Sequence, residues 1–284
     1  MIFNILKISN HFDFIFKTGG ILLFCFAVTV SATVHGAELS ADGTEKADAG
    51  LAENMMKIGK GLSLHKQTYL LPLTWGSNDS RLEDAELKFQ LSLKQKLFGS
   101  NFYAAYTQKS FWRLLDDKDS RPFRETNYNP EIFYRLSPEN NPLGNWGSDV
   151  GYEHESNGSS EPKSRSWDRL YIRPYYEYKK FSTELKIWYR FKEDISDDDN
   201  PDIEDYYGYG ELKIAYEFPK NRMLSGIGRW NPNTGNAGLQ FDYSLPLPGK
   251  DVFLFAQLWT GYGESLVDYN HYITSFGFGV MFKR

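Results

Sequence analysis

The chain has 284 residues, is 41% hydrophobic and 17% aromatic, and carries a formal net charge of −5. Its mean hydropathy is nonetheless negative, which excludes a bundle of membrane helices. The small acidic charge argues against a nucleic-acid partner, and the single cysteine, Cys25, leaves no disulfide framework.

Lys7 and Lys17 precede an apolar run from Ile21 to Val30, too short to span a bilayer, with small residues after it. We read residues 1–37 as an export signal, with cleavage after Ala32 or Ala37. Cys25 falls inside it, so the exported chain is expected to be thiol-free. Residues 38–67 are read as an N-terminal periplasmic segment, with a short amphipathic helix over Leu51 to Leu64. From Thr68 to the end, residues 68–284, apolar and polar residues alternate with the period of two that a strand requires. In Leu87-Lys88-Phe89-Gln90-Leu91-Ser92-Leu93-Lys94 every odd position is apolar. Leu185, Ile187, Tyr189 and Phe191 form another such row, as do Phe276, Phe278, Val280 and Phe282.

The pattern predicts about twelve strands, near 68–76, 86–96, 101–112, 127–136, 148–157, 166–178, 181–191, 206–218, 223–231, 237–244, 252–262 and 272–282. Tight turns such as Lys179-Lys180 alternate with long charged connections such as Asp116 to Arg124 and Ser196 to Asp205. A soluble β-sandwich or lipocalin-like barrel also alternates. The leader and the aromatic load favour an all-β, antiparallel transmembrane β-barrel in the bacterial outer membrane.

One strand end carries chemistry. In Val150-Gly151-Tyr152-Glu153-His154-Glu155-Ser156, alternation puts His154 and Ser156 on the same face as Val150 and Tyr152, which is the lipid face. Glu153 and Glu155 then point into the lumen. On the next strand Asp168 shares its face with Leu170 and Ile172. If the hairpin is centred on Glu161, His154 lies opposite Asp168 and Ser156 opposite Ser166. Opposed residues in an antiparallel pair have Cβ atoms about 4.5–5.5 Å apart. A serine, a histidine and an acid so grouped are the parts of a nucleophilic hydrolase. The bland alternative is a polar pair at the headgroup level. Ser63 and His65 repeat the spacing without an evident acid, and no Gly-x-Ser-x-Gly elbow occurs.

The run His154-Glu155-Ser156-Asn157-Gly158, with Ser164-Arg165-Ser166-Trp167-Asp168-Arg169-Leu170-Tyr171, resembles the active-site hairpin of the outer membrane phospholipase A family. Further matches lie at Tyr106 to Ser110, Pro122 to Tyr128, Asn200 to Ile203 and Gly261 to Asn270. The resemblance implies a twelve-stranded barrel hydrolysing phospholipid acyl esters at either glycerol position, with calcium (Ca2+) as cofactor and a homodimer as the active form. It implies Ser156 as nucleophile and His154 as base, with calcium at Ser164, at the Ser159 carbonyl and at Ser120 of the second copy. Calcium beside the Ser156 N–H would then stabilise the oxyanion. Glu161 and Asp199 would belong to a second calcium site, and Gln108 to the dimer interface. Two positions depart from the family pattern, Asp168 replacing Asn and Ser159 replacing Arg, and the chain ends Phe282-Lys283-Arg284 where many outer-membrane barrels end on an aromatic. The competing reading is a barrel without catalysis, either a diffusion channel or a structural protein.

Overall fold

The computed structural model describes residues 61–76, 85–136, 145–194, 196, 198–248 and 252–283. The expected export signal, its cleavage site and most of the N-terminal segment lie outside these residues. The described chain is almost entirely strand: β1 (Leu62–Leu64), β2 (Thr68–Gly76), β3 (Glu86–Lys96), β4 (Phe102–Trp112), β5 (Phe123–Leu136), β6 (Asn145–Ser156) and β7 (Ser166–Tyr178), followed by β8 (Phe181–Phe191). After the short helix α1 (Ile203–Tyr207) come β9 (Gly210–Phe218), β10 (Arg222–Trp230), β11 (Ala237–Pro246), β12 (Phe253–Gly261) and β13 (Ile273–Lys283).

Each strand from β2 to β13 pairs antiparallel with its neighbours in sequence, and β13 returns to pair with β2. The wall is therefore a closed twelve-strand barrel. Closure leaves no edge, which hydrocarbon demands because it offers no partner to a free N–H or C=O. β1 lies on the same edge of β3 as β2, pairing Leu62 with Gln95 and Leu64 with Leu93. The amphipathic helix expected up to Leu64 thus gives way to strand over its last three residues. The strand expected from residue 206 begins at Gly210, because 203–207 turn once as α1 and stop at Gly208, φ +69°. An added Cβ at Gly208 would collide with the Trp230 carbonyl, so only glycine fits that turn.

The alternation divides the wall into two faces. Leu170 and Ile172, each 47% exposed, belong to an outward apolar row that continues through Leu185, Ile187 and Tyr189 on β8. The inward rows are charged and buried. Glu153 meets Arg169 at 3.2 Å and Lys186 at 2.5 Å, and Asp149 meets Arg135 at 2.7 Å and Arg173 at 2.6 Å. This is the reverse of a soluble sandwich, whose buried rows are apolar, and it places the outward rows in lipid.

An apolar cluster lies inside at the long-loop end. Trp167 packs edge-on against Tyr207 of α1 (5.2 Å) and Trp188 (6.1 Å), with Ile203, Leu266 and Tyr269 around them. Lower down, the Tyr171 ring lies over Gly151 and the Tyr175 ring over Gly147. A Cβ on Gly151 would come within 2.6 Å of Phe133 Cβ and 2.7 Å of the Ile132 carbonyl. Gly151→Ala is expected to lower barrel stability by about 1–3 kcal/mol through this overpacking, measured as a shift in the denaturant midpoint of the folded barrel.

Candidate active site

β6 and β7 run in the register that a hairpin centred on Glu161 dictates, with His154 opposite Asp168 and Ser156 opposite Ser166. All four lie on the outward row, next to exposed Val150, Tyr152, Leu170 and Ile172. The inner side of this wall is pinned: Arg169 bonds Glu155 at 2.7 Å, and Trp167 Nε1 donates to Glu155 at 3.1 Å. The lumen-facing charges therefore fix the two strands whose opposite face carries the reactive groups.

His154 Nδ1 stands 2.9 Å from Asp168 Oδ1. A carboxylate only accepts, so Nδ1 carries the proton and Nε2 is left as the acceptor, the tautomer a general base needs. Ser156 follows two positions along the row, on the side toward the loop. Among the described residues Asp168 is the one hydrogen-bond partner of the imidazole, and Ser156 is not hydrogen-bonded to it. Such links often tighten only when substrate is bound. Asp168 is the third residue of β7, near the rim. At that depth a lipid-facing ionisable residue costs roughly 0–1 kcal/mol, against about 2–4 for a basic residue at the midplane. Its carboxylate also accepts from the Tyr152 hydroxyl at 2.5 Å. Alternation assigned Tyr152 only to the lipid row; its hydroxyl is a contact that the register, with aromatic reach across the strand pair, could have suggested.

The loop beyond Ser156 is held by Asn157, which sequence reading used only as part of a motif. Its amide donates to the Lys163 carbonyl at 2.7 Å and its Oδ1 accepts from the N–H of Ser159 (3.2 Å) and Arg165 (3.0 Å). Asn200, fully buried, accepts the Ser166 N–H at 2.9 Å. These two side chains bring the 157–165 and 198–202 segments together. There the Ser164 hydroxyl donates to the Asp199 carboxylate. Hydrogen bonding to Asp199 pushes the Glu161 carboxyl up, and burial and the Asp199 charge add to it; the Ser164 and Glu161 donors hold Asp199 below its ordinary value.

Ser159 is exposed in this loop. Ser120 is exposed in the separate 113–122 loop, with φ +61°. Gln108 lies on the outward row of β4, where it accepts from the Tyr106 hydroxyl at 3.3 Å and donates to Ser110 Oγ at 3.1 Å. A single chain brings neither Ser120 nor Gln108 into the cluster around Ser164. His65 does have an acid, Glu131 at 2.8 Å, which corrects the expectation that none lay near. That pair is buried on the lumen side, remote from the lipid face.

A family model described as Phospholipase A1 matches residues 51–282. The Phospholipase A1 of Salmonella typhimurium is 46% identical over 204 residues, covering 69% of each chain. That of Escherichia coli strain K12 is 45% identical over 204 residues with the same coverage. Among solved structures, outer membrane phospholipase A from Escherichia coli matches with a TM-score of 0.69 at 39% identity, covering 78% of this chain and 97% of that one. The Salmonella typhi outer membrane phospholipase dimer with bound calcium matches with a TM-score of 0.70 at 39% identity, covering 81% and 94%.

A fluorophosphonate carrying a long alkyl chain is expected to label Ser156, and His154→Ala to slow labelling by at least about 100-fold. Peptide mapping of the modified protein locates the adduct; a label on another serine counts against the site.

Proposed function

The chain belongs to the phospholipase A1 family, and from that premise we propose that it hydrolyses the sn-1 and sn-2 acyl esters of glycerophospholipids with a Ser156-His154-Asp168 triad. It is an outer-membrane β-barrel. The observation that carries the proposal is the His154–Asp168 pair at 2.9 Å on the lipid-facing row, with Ser156 next along that row. An ester carbonyl reaches Ser156 laterally from the membrane. Ser156 Oγ attacks the carbonyl carbon as its proton passes to His154 Nε2, and Asp168 holds the Nδ1–H and balances the imidazolium. The imidazolium returns that proton to the departing glycerol oxygen. Water, deprotonated by His154, then releases the fatty acid from Ser156.

Calcium fits the loop cluster. Among the described residues no group of three or more His, Cys, Asp or Glu side chains is arranged for a metal. The donors here are hydroxyl, carbonyl and carboxylate oxygens, the hard set calcium prefers. We assign Ser164 and the Ser159 carbonyl to one site, completed by Ser120 of a second copy, and Glu161 with Asp199 to another. Bound beside Ser156, the ion would supply positive charge to the developing oxyanion. The ladder pairing of Ser156 with Tyr128 turns the Ser156 N–H into the wall, which leaves less of that task to the backbone. The same assignment makes the homodimer the active form, with Gln108 of each copy at the contact. The relative with calcium is itself a dimer.

Purified wild-type protein with calcium is expected to release fatty acid from phospholipid in mixed micelles, and Ser156→Ala to lose more than about 1,000-fold. A wild-type protein that releases none overturns the proposal; one that instead conducts in planar bilayers, unchanged by Ser156→Ala, is a channel. Because Glu161 holds its proton above the ordinary glutamate range, and cation binding must expel that proton, calcium affinity should rise with pH through that range. Calcium activation curves from about pH 5 to about pH 8 should shift to lower calcium as pH rises, and Glu161→Gln should flatten the shift.

A further inference from the structure

Pro130 lies in the middle of β5, where a ladder donor is normally required. On the β4 side the ladder runs unbroken through it, pairing Pro130 with Tyr106 and Asn129 with Thr107. On the β6 side Tyr128 pairs with Ser156 and Glu131 with Glu153, but positions 129 and 130 drop out. The register places Pro130 opposite His154. The N–H and C=O of one strand residue point toward the same neighbour. The donor missing at Pro130 is therefore the one aimed at β6, and its acceptor would have been the His154 carbonyl.

Another donor reaches that carbonyl. Asn129 Nδ2, buried on the lumen face, bonds His154 O at 2.9 Å. Its second contact is Glu153 Oε2 at 3.3 Å. The orientation of the amide is dictated by Lys66, whose Nζ donates to Asn129 Oδ1 at 2.6 Å and meets Glu131 at 3.2 Å. A lysine can only donate, so Oδ1 must face it and Nδ2 must face β6.

We propose that Asn129 is a positioning residue for His154, its side-chain amide replacing the ladder hydrogen bond that Pro130 cannot make. The replacement anchors the His154 backbone from the lumen, while Pro130 presents an apolar ring to lipid beside the imidazole. A backbone bond would hold His154 to β5 alone. The side-chain bond holds it also to Lys66 and Glu131, so the base rests on the interior charge network. The inference depends on His154 acting as the base.

The test is a rescue. Asn129→Leu, close in volume and unable to donate, is expected to lower kcat about 2- to 12-fold, the equivalent of one net hydrogen bond, with KM little changed. Pro130→Ala restores an N–H to the ladder. The double variant Asn129→Leu/Pro130→Ala should recover most of the lost kcat. Asn129→Ser, polar but too short to reach the carbonyl, should behave as Asn129→Leu and guards against a folding defect; rates are taken per folded barrel, counted by heat-modifiable mobility. An unchanged kcat in both Asn129→Leu and Asn129→Ser, or a double variant as slow as Asn129→Leu, overturns the assignment. Either result with Ser156→Ala still inactive leaves the triad standing. Activity that survives Ser156→Ala overturns the triad itself.

Discussion

Hydrocarbon gives a backbone nothing to bond to, and that constraint governs this molecule. Every N–H and C=O of the wall must find a partner within the protein, so the ladder closes on itself through β13 and β2. A closed ladder has a fixed register. On the outward face that register groups His154, Ser156 and Asp168. The geometry of the proposed triad is thus a property of the hairpin from β6 to β7, and its turn length sets it. A one-residue change in that turn would carry Asp168 to the lumen face while His154 and Ser156 stayed outside.

The two faces of the wall divide the work. Inside, Glu153, Arg169, Lys186 and Glu155 pair across β6, β7 and β8 and resist relative motion of the strands. Outside, the same strands present a row that is apolar except near the rim, where Asp168 is still close to water. The charge that supports His154 is tolerated because of that depth, and the Tyr152 hydroxyl takes up one of its remaining acceptor positions. Loop residues 157–165 and 198–202 add oxygen donors at the same rim, held by Asn157 and Asn200 rather than by strand pairing.

The strands were legible in the sequence because lipid and lumen impose opposite polarity on successive residues. The pairing of His154 with Asp168 was legible because a hairpin has one centre. Less regular features escaped. β6 begins at Asn145, ahead of the expected position 148, since Asn145-Trp146-Gly147 breaks alternation; Gly147 is there to seat Tyr175. α1 was hidden in Ile203 to Tyr207, whose buried faces are explained only by Trp167 on a strand far from it in sequence. His65 with Glu131, and Asn129 with the His154 carbonyl, span 66 and 25 positions. Contacts at such separations leave no local pattern. The Pro130 in a strand did leave a sign, a missing donor, but its acceptor could be named only once both neighbouring ladders were known.

Trp167, Tyr207 and Leu266 also bear on the interior of the barrel. The bore of a barrel widens with its strand number, and in this one the aromatic cluster takes up room inside its loop-side end. A protein that cleaves the lipids around it loosens the very barrier it sits in. Because those residues face inward while His154 and Ser156 face outward, what the bore admits and what the outer wall meets belong to different surfaces, and each can change without the other.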